Sequence, residues 1–485
     1  MKIKLIAPAR KPEWGESFWD FKTVREITGR KAGGTILSLP TLAALTPSEV
    51  EVIINDEVVE RIDFEEQVDL VAISFLTSLA PRAYEIADEF MKRGVKVVLG
   101  GIHVSMLPDE AIKHADSIVI GEADELWPGL INDFKQNKLQ KIYRMKTPPS
   151  LTNSPIPRWD LLKTHEYCYF TVQVGRGCPN SCDFCSVWSF NGHKYRNKSV
   201  HTVIEEIRYL RAIDPKKMIF FADDNLLAKP EFAKSLFKNL IPLKINSWWC
   251  QAAINRLNDS QLLKLMYESG CRAVFIGFES VKQESIFELN KSKVNKVEQY
   301  KEIVNLIHKN GIAVIGSFML GNDNDDIATI EATSNFIKDT NLAFSMINLI
   351  TPAPGTLLYE RLASQGRITS NLWHEYDGEK VCFQTKQISP TILQSERNRL
   401  LKHLYKYNSM HSRFTNLWRN KVFVRGRNEK QTVFSKGRFI FTIKTLGFNV
   451  AKNIFIIKCL WNKNVTSTSA INLALNFNEY ARKLK

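Results

Sequence analysis

The chain has 485 residues, room for about three domains of ordinary size. A 44% apolar and 24% charged composition excludes a disordered or low-complexity protein. Eight cysteines are too sparse for a disulfide scaffold, and no run of about 18 uninterrupted apolar residues marks a membrane span. The net charge of +15 is uneven: 19 of the 66 Lys+Arg but only 3 of the 51 Asp+Glu lie from Glu396 onward, so that stretch carries +16 and the rest −1.

The N-terminus begins like a strand and lacks the small-residue cleavage site of a signal peptide, so a cytoplasmic setting is expected. Five short apolar runs, 2–8, 50–56, 69–75, 95–101 and 117–122, read as buried strands. The segment 81–94, with Pro81 at its start and Gly94 at its end, reads as an amphipathic helix. Strands alternating with helices predict a doubly wound, Rossmann-like parallel sheet over 1–140. Ligands in such sheets sit beyond the carboxyl ends of the strands. Those ends carry Ser74 and Thr77, Gly100, Gly101 and His103, then Gly121 and Glu122. Tight turns account for these glycines equally well.

Four prolines and two serines between Lys146 and Leu162 mark a linker, placed at 141–165. From 166 to 385 the strand–helix theme repeats six times, predicting a partial β/α barrel whose site gathers at the C-terminal strand ends. Asp223, Asp224, Asn225, Gln251, Glu279, Ser280, Asp323 and the run Thr351–Thr356 fall there. After 386 the rhythm is lost, and a mainly helical, basic, aromatic region is expected.

Three cysteines, Cys178, Cys182 and Cys185, cluster on the loop after the first of these strands. Thiolates are soft ligands for zinc and for iron–sulfur clusters. A structural zinc site is closed by four ligands, and His193 is a candidate fourth. A cubane cluster ordinarily takes four thiolates. Held by three, it keeps one iron open for chemistry. Both metals remain open on spacing alone, the cluster being the better match.

Cys178, Cys182, Phe184 and Cys185 form a Cys-x3-Cys-x-aromatic-Cys pattern that resembles the signature of the radical S-adenosylmethionine superfamily. The stretch from Gly100 to Pro128 resembles the domain before the barrel in its cobalamin-binding class. "FADDNL", "IGFES", "SFMLGND" and "TPAPGTLLY" resemble the branch that includes hopanoid methylases. The resemblance implies that the three cysteines hold a [4Fe-4S] cluster whose fourth iron chelates S-adenosylmethionine. Reductive cleavage would give a 5′-deoxyadenosyl radical that abstracts hydrogen from substrate. It places Phe184 near the adenine, Asp223 and Asp224 at the methionine amino group, and Glu279 and Ser280 at the ribose or methionine end. Gly321 and Asp323 follow the fifth strand, and Thr351 and Pro352 run past the adenine. Helix capping by Asp224 or Asn225 is the bland alternative.

For cobalamin, the resemblance points to Ser74, Thr77, Gly100, Gly101, His103, Gly121 and Glu122. The first segment has no Asp-x-His-x-x-Gly to ligate cobalt from below, and a structural role suits His103 better than ligation. The implied activity is methyl transfer to an unactivated carbon of a hydrophobic, lipid- or isoprenoid-like molecule. A radical cyclase or oxidative enzyme is the nearer alternative, and a zinc-stabilised nucleic-acid or membrane binding protein the remoter one. An external reductant of flavodoxin or ferredoxin type is implied. The basic stretch 437–461 suits a helical cap, or peripheral contact with anionic membrane, better than nucleic acid.

Overall fold

The computed structural model describes residues 1–15, 17–18 and 22–422, with 474–475, 478–479 and 481–484. They form two compact units. One comprises Met1–Gly15, Gly34–Asn239 and Ile350–Gln384; the other comprises Glu16–Gly33, Leu240–Leu349 and Thr385–Lys485. The stretch 437–461 lies outside the described residues.

In chain order the first strands are β1 (Lys2–Ala7), β2 (Ala32–Gly34), β3 (Glu51–Asp56), β4 (Leu70–Ser74), β5 (Lys96–Gly100), β6 (Ser117–Ile120) and β7 (Ile142–Arg144). All but β2 make one parallel sheet in the order β3-β1-β4-β5-β6-β7. Successive strands depart from β1 in opposite directions, so a crevice opens between the C-terminal ends of β1 and β4. The helix Ala80–Lys92 packs Ala83, Ile86, Ala87 and Phe90 onto the sheet at 0% exposure. Its apolar residues recur at helical spacing and Gly94 takes the left-handed conformation just past its end. The strand β7 falls inside the stretch read as linker. It has only one buried residue, Tyr143, which is too little periodicity to show in sequence.

The six expected β/α strands follow: β8 (Tyr167–Val172) and, after a two-stranded ribbon of β9 (Gly175–Arg176) and β10 (Arg196–Asn197), β11 (Met218–Phe221) in the first unit. The second unit carries β12 (Trp248–Gln251), β13 (Cys271–Glu279), β14 (Ala313–Leu320) and β15 (Phe344–Leu349), paired in parallel. The short β2 leads into a crowded contact. A Cβ on Gly34 would lie 2.4 Å from the Tyr169 ring, and Thr35 Oγ1 accepts the Thr171 N–H at 2.8 Å. Cys250 and Cys271 are core residues at 0% exposure.

The described C-terminal region is helical, with helices Pro390–Leu404 and Tyr407–Arg419. Tyr405 reaches the backbone of β15: its hydroxyl accepts the Ser345 N–H at 2.7 Å and donates to the Ser345 carbonyl at 2.6 Å. Arg397 Nε donates to the Ile347 carbonyl at 2.9 Å. These side chains satisfy groups that β15 would otherwise leave unpaired. No described helix is long and apolar enough to cross a membrane.

His308, on the helix Tyr300–Lys309, is buried, and no described group partners its Nε2. Burial pushes its pKa down to about 4 from 6.5. Between those values the unfolded chain binds one proton more, so stability falls as pH falls through that window, by up to about 1.4 kcal/mol per pH unit. Urea titrations from pH 7 to 4.5 should show that slope in the parent and a shallower one in His308→Leu.

Candidate active site

After β8 the chain turns through Gln173–Gly177 into the cysteine loop. The turn is crowded. A Cβ on Gly175 would lie 2.5 Å from the Tyr195 ring and 2.6 Å from the Arg196 carbonyl. Gly177 has φ +90°, and its Cβ would lie 2.5 Å from the Lys194 carbonyl. Only glycine meets both demands at Gly177. Within the loop, Cys178 N–H donates to the Gly192 carbonyl at 3.2 Å and Cys185 N–H to the Cys182 carbonyl at 3.1 Å. Trp188 Nε1 donates to the same Cys182 carbonyl at 3.0 Å. Cys182 is buried, Cys178 and Cys185 are half-buried, and none is in a disulfide.

The adjacent aspartates have different surroundings. Asp223, at 0% exposure, accepts from Val174 N–H at 2.9 Å, Gly175 N–H at 2.5 Å and the Tyr195 hydroxyl at 2.8 Å. Burial pushes its carboxyl up to about 7 against those three donors. Its oxygens therefore fasten the root of the cysteine loop. Asp224 is exposed, and desolvation by the surrounding protein pushes it up to about 6. Its charge is felt at Cys185. The next α-helix starts at Pro230, so neither Asp224 nor Asn225 caps it.

Cys185 is pushed up to about 12, by burial first and then by the charges of Cys182, Asp224 and Cys178. Three thiolates on one loop, each raising the others' pKa, need a cationic guest to ionise together. Among the described residues no three His, Cys, Asp or Glu converge on a single ion site. His193 stacks its ring on Trp188 at 5.1 Å. Neither observation supplies the closed zinc site that the spacing left open. A cubane, whose thiolates attach to different irons, fits the donor set better.

The segment after β15 meets the loop: Leu358 N–H donates to the Asp183 carbonyl at 2.9 Å, where Thr356 caps the helix Leu357–Ser364. Thr351 and Pro352 lie on the same segment, and Phe184 follows Asp183. In the same unit, Trp373 and Asp377 turn toward the first sheet. Trp373 Nε1 donates to Glu110 at 3.0 Å, His374 stacks on Trp14, and Asp377 pairs with Arg10 at 2.9 Å.

At the first sheet, Ser74 and Gly100 are paired in register at the strand ends, and Thr77 follows in a short 3-10 turn. Gly101 has φ +102°, and a Cβ there would lie 2.6 Å from the Phe75 carbonyl. Leu76 projects at 61% exposure. Gly121 has φ +92°, with Met145 filling its Cβ direction. His103 is fully buried, 3.1 Å from the Tyr84 hydroxyl and 3.2 Å from Glu110, and burial lowers its pKa. Glu122 is spent on Arg176, Arg196 and Asn191.

In the second unit Glu279 ends β13 with φ +64° at a bulge, a strained conformation for a side-chain-bearing residue. Its carboxylate pairs with Lys291 at 2.5 Å, and a Cβ on Gly277 would collide with it at 2.2 Å. Asn295 Nδ2 holds the Gly277 and Phe278 carbonyls at 2.9 Å each. Ser280 is buried beside it, and its Oγ accepts the Lys282 N–H. Past β14, the buried Asp325 accepts the Gly321 and Asn322 N–H groups at 3.0 and 3.1 Å. Asp323 pairs with Lys386 at 2.8 Å.

The model of the radical SAM superfamily matches residues 172–337 and that of the B12 binding domain residues 43–131. A bacteriochlorophyllide d C-8(2)-methyltransferase of Chlorobaculum tepidum is 32% identical over 379 residues, 74% of this chain and 82% of the relative. The chain belongs to the cobalamin-binding radical S-adenosylmethionine enzymes. A hopanoid C-2 methylase of Rhodopseudomonas palustris is 26% identical over 68% of this chain and 64% of its own. The fold is shared with the radical S-adenosylmethionine methyltransferase TsrM of Kitasatospora setae, solved with cobalamin and a [4Fe-4S] cluster, at TM-score 0.65, 15% identity and 99% coverage of both chains. This family member is a radical S-adenosylmethionine enzyme with a B12 binding domain, of a class that acts on a small molecule with electrons from a reductant, and its relatives include methyltransferases.

Sequence reading missed Arg176, Tyr195, Arg196, Lys291, Asn295 and Asp325. Asp325 acts locally, on N–H groups three and four residues before it, whereas the others act on backbone or charge brought close by folding. Asp223→Asn would present an amide N–H to one of the N–H donors at the loop root. A loss of about 1–3 kcal/mol is expected in urea denaturation, together with lower iron and sulfide content after anaerobic reconstitution.

Proposed function

We propose that this enzyme methylates an unactivated carbon of a large hydrophobic small molecule, lipid- or isoprenoid-like or a comparable apolar ring system. The observation that carries the reading is the joining, within one compact unit, of the cysteine loop to the strand ends of the first sheet. The relatives' names support the substrate class, since bacteriochlorophyllides and hopanoids are both large apolar polycycles. We assign 1–140 to the cobalamin-type domain, 141–165 to the linker, 166–385 to the barrel and 386–485 to the basic region.

Bound together, the cofactors supply a carbon radical on substrate and a methyl group to quench it. Cys178, Cys182 and Cys185 hold the cluster. Asp224, with a solvent-accessible carboxylate beside Cys185, meets the methionine ammonium, while Asp223 keeps the loop in shape. Phe184, Thr351 and Pro352 flank the adenine. Glu279, Ser280, Gly321 and Asp323 are the second unit's S-adenosylmethionine residues, with Lys291 and Asp325 fixing their backbone. Ser74, Thr77, Gly100, Gly101 and Gly121 form the cobalamin cradle, supported from below by His103. The reductant and any anionic membrane meet basic surface: Lys141, Arg144, Lys146 and Lys194 are exposed on the segments flanking Gly192, and the tail carries the net charge.

The test is anaerobic reconstitution with iron, sulfide and hydroxocobalamin, followed by reductant, S-adenosylmethionine and an apolar polycyclic substrate. Formation of 5′-deoxyadenosine with a product heavier by one methylene unit is expected. Cys182→Ala should abolish both. A product that has lost hydrogen or gained oxygen would replace methyl transfer by cyclising or oxidative chemistry. Liposome flotation tests the membrane contact, which equal and negligible binding to neutral and anionic vesicles would exclude.

A further inference from the structure

A buried network of four charges joins the end of β6 to the cysteine loop. Glu122 directly follows Gly121, and its side chain is 2% exposed. It accepts from Arg176 Nη1 at 2.8 Å, Arg196 Nη1 at 3.0 Å and Asn191 Nδ2 at 2.9 Å, and pairs with Arg196 Nη2 as well. Arg176 also reaches Asp124 at 2.6 Å and Gln173 at 2.8 Å. Arg196 also holds the carbonyls of Pro149 at 2.6 Å and Asn191 at 2.9 Å. Burial opposes ionisation of Glu122. Hydrogen bonding from Arg196 and the charge of Arg176 more than offset it, holding the carboxyl below the usual range.

The network touches both walls of the loop. Arg176 stands two residues before Cys178 and pairs across the ribbon with Arg196. Asn191 precedes Gly192, whose carbonyl receives the Cys178 N–H. Two arginines and two carboxylates sum to zero charge. Anchoring alone would be served as well by apolar packing, because buried ion pairs often add little net stability. In a poorly screened setting, single charges near a cluster shift its reduction potential.

We propose that Glu122 is a positioning residue for the cluster. It fixes the cysteine loop against the end of β6, and with Asp124 it cancels the arginine charge that would otherwise raise the cluster's reduction potential. This rests on the reading of Cys178, Cys182 and Cys185 as cluster ligands, and it gives Glu122 a role other than contact with cobalamin. Removing a carboxylate leaves net positive charge, which favours the reduced, more negative cluster. Removing an arginine does the opposite.

The experiment is a mediated redox titration of the full-length reconstituted chain, read by the electron paramagnetic resonance signal of the reduced cluster. Iron and sulfide are counted for each variant. Glu122→Gln should shift the midpoint potential upward, Arg196→Gln downward, and the double variant should return toward the parent. Unshifted potentials, or single variants that shift the same way, would overturn the proposal. Should Glu122→Gln fail to load a cluster, Asp124→Asn decides. An upward shift there supports charge cancellation, and none refutes it. A parent chain that takes up no iron or sulfide overturns the cluster reading beneath the proposal as well.

Discussion

The arrangement of the three thiols depends on one buried carboxylate. Asp223 gathers two backbone N–H groups and a tyrosine hydroxyl at the point where β8 gives way to the cysteine loop. Those donors lie where no water can replace the bond, so the carboxylate has to be present for the chain to turn there. Asp224 remains accessible. Two identical residues side by side thus have different surroundings, Asp223 occupied by the chain and Asp224 open to solvent.

Carboxylates that hold the chain recur in each unit. Glu122 and Asp325 are buried and occupied by the chain itself, and Glu279, at positive φ, is paired with Lys291 while Asn295 holds the two carbonyls before it. A positive φ at a side-chain-bearing residue costs about 1–3 kcal/mol and persists only where the surroundings hold it. At the far end of the second unit, Tyr405 and Arg397 provide for the backbone of β15. The described helical region after 386 therefore completes the fold rather than standing apart from it.

The segment Trp373–Asp377 follows the last barrel strand and carries no motif that fixes its partners. Its side chains engage Glu110, Trp14 and Arg10 of the first sheet's neighbourhood. The charge of the tail remains a property of sequence alone, since most of it lies beyond the described residues.

Elements with strong periodicity were legible from the chain: the six barrel strands, five strands of the first sheet and the helix Ala80–Lys92 announce themselves by apolar runs that must be buried. The cysteine pattern was legible for a different reason, because ligand spacing is local. The short β2 and β7 were not, since an Ala-Gly-Gly stretch and a three-residue edge strand bury almost nothing. The roles of Asp223 and Glu122 were also beyond sequence. A carboxylate near a cofactor site looks the same in sequence whether it meets a ligand or the chain, and only tertiary structure decides which donors reach it. Sequence by itself determined the chemistry available, through three thiols on one loop. Folding decided which charged groups were already occupied and which were left to act.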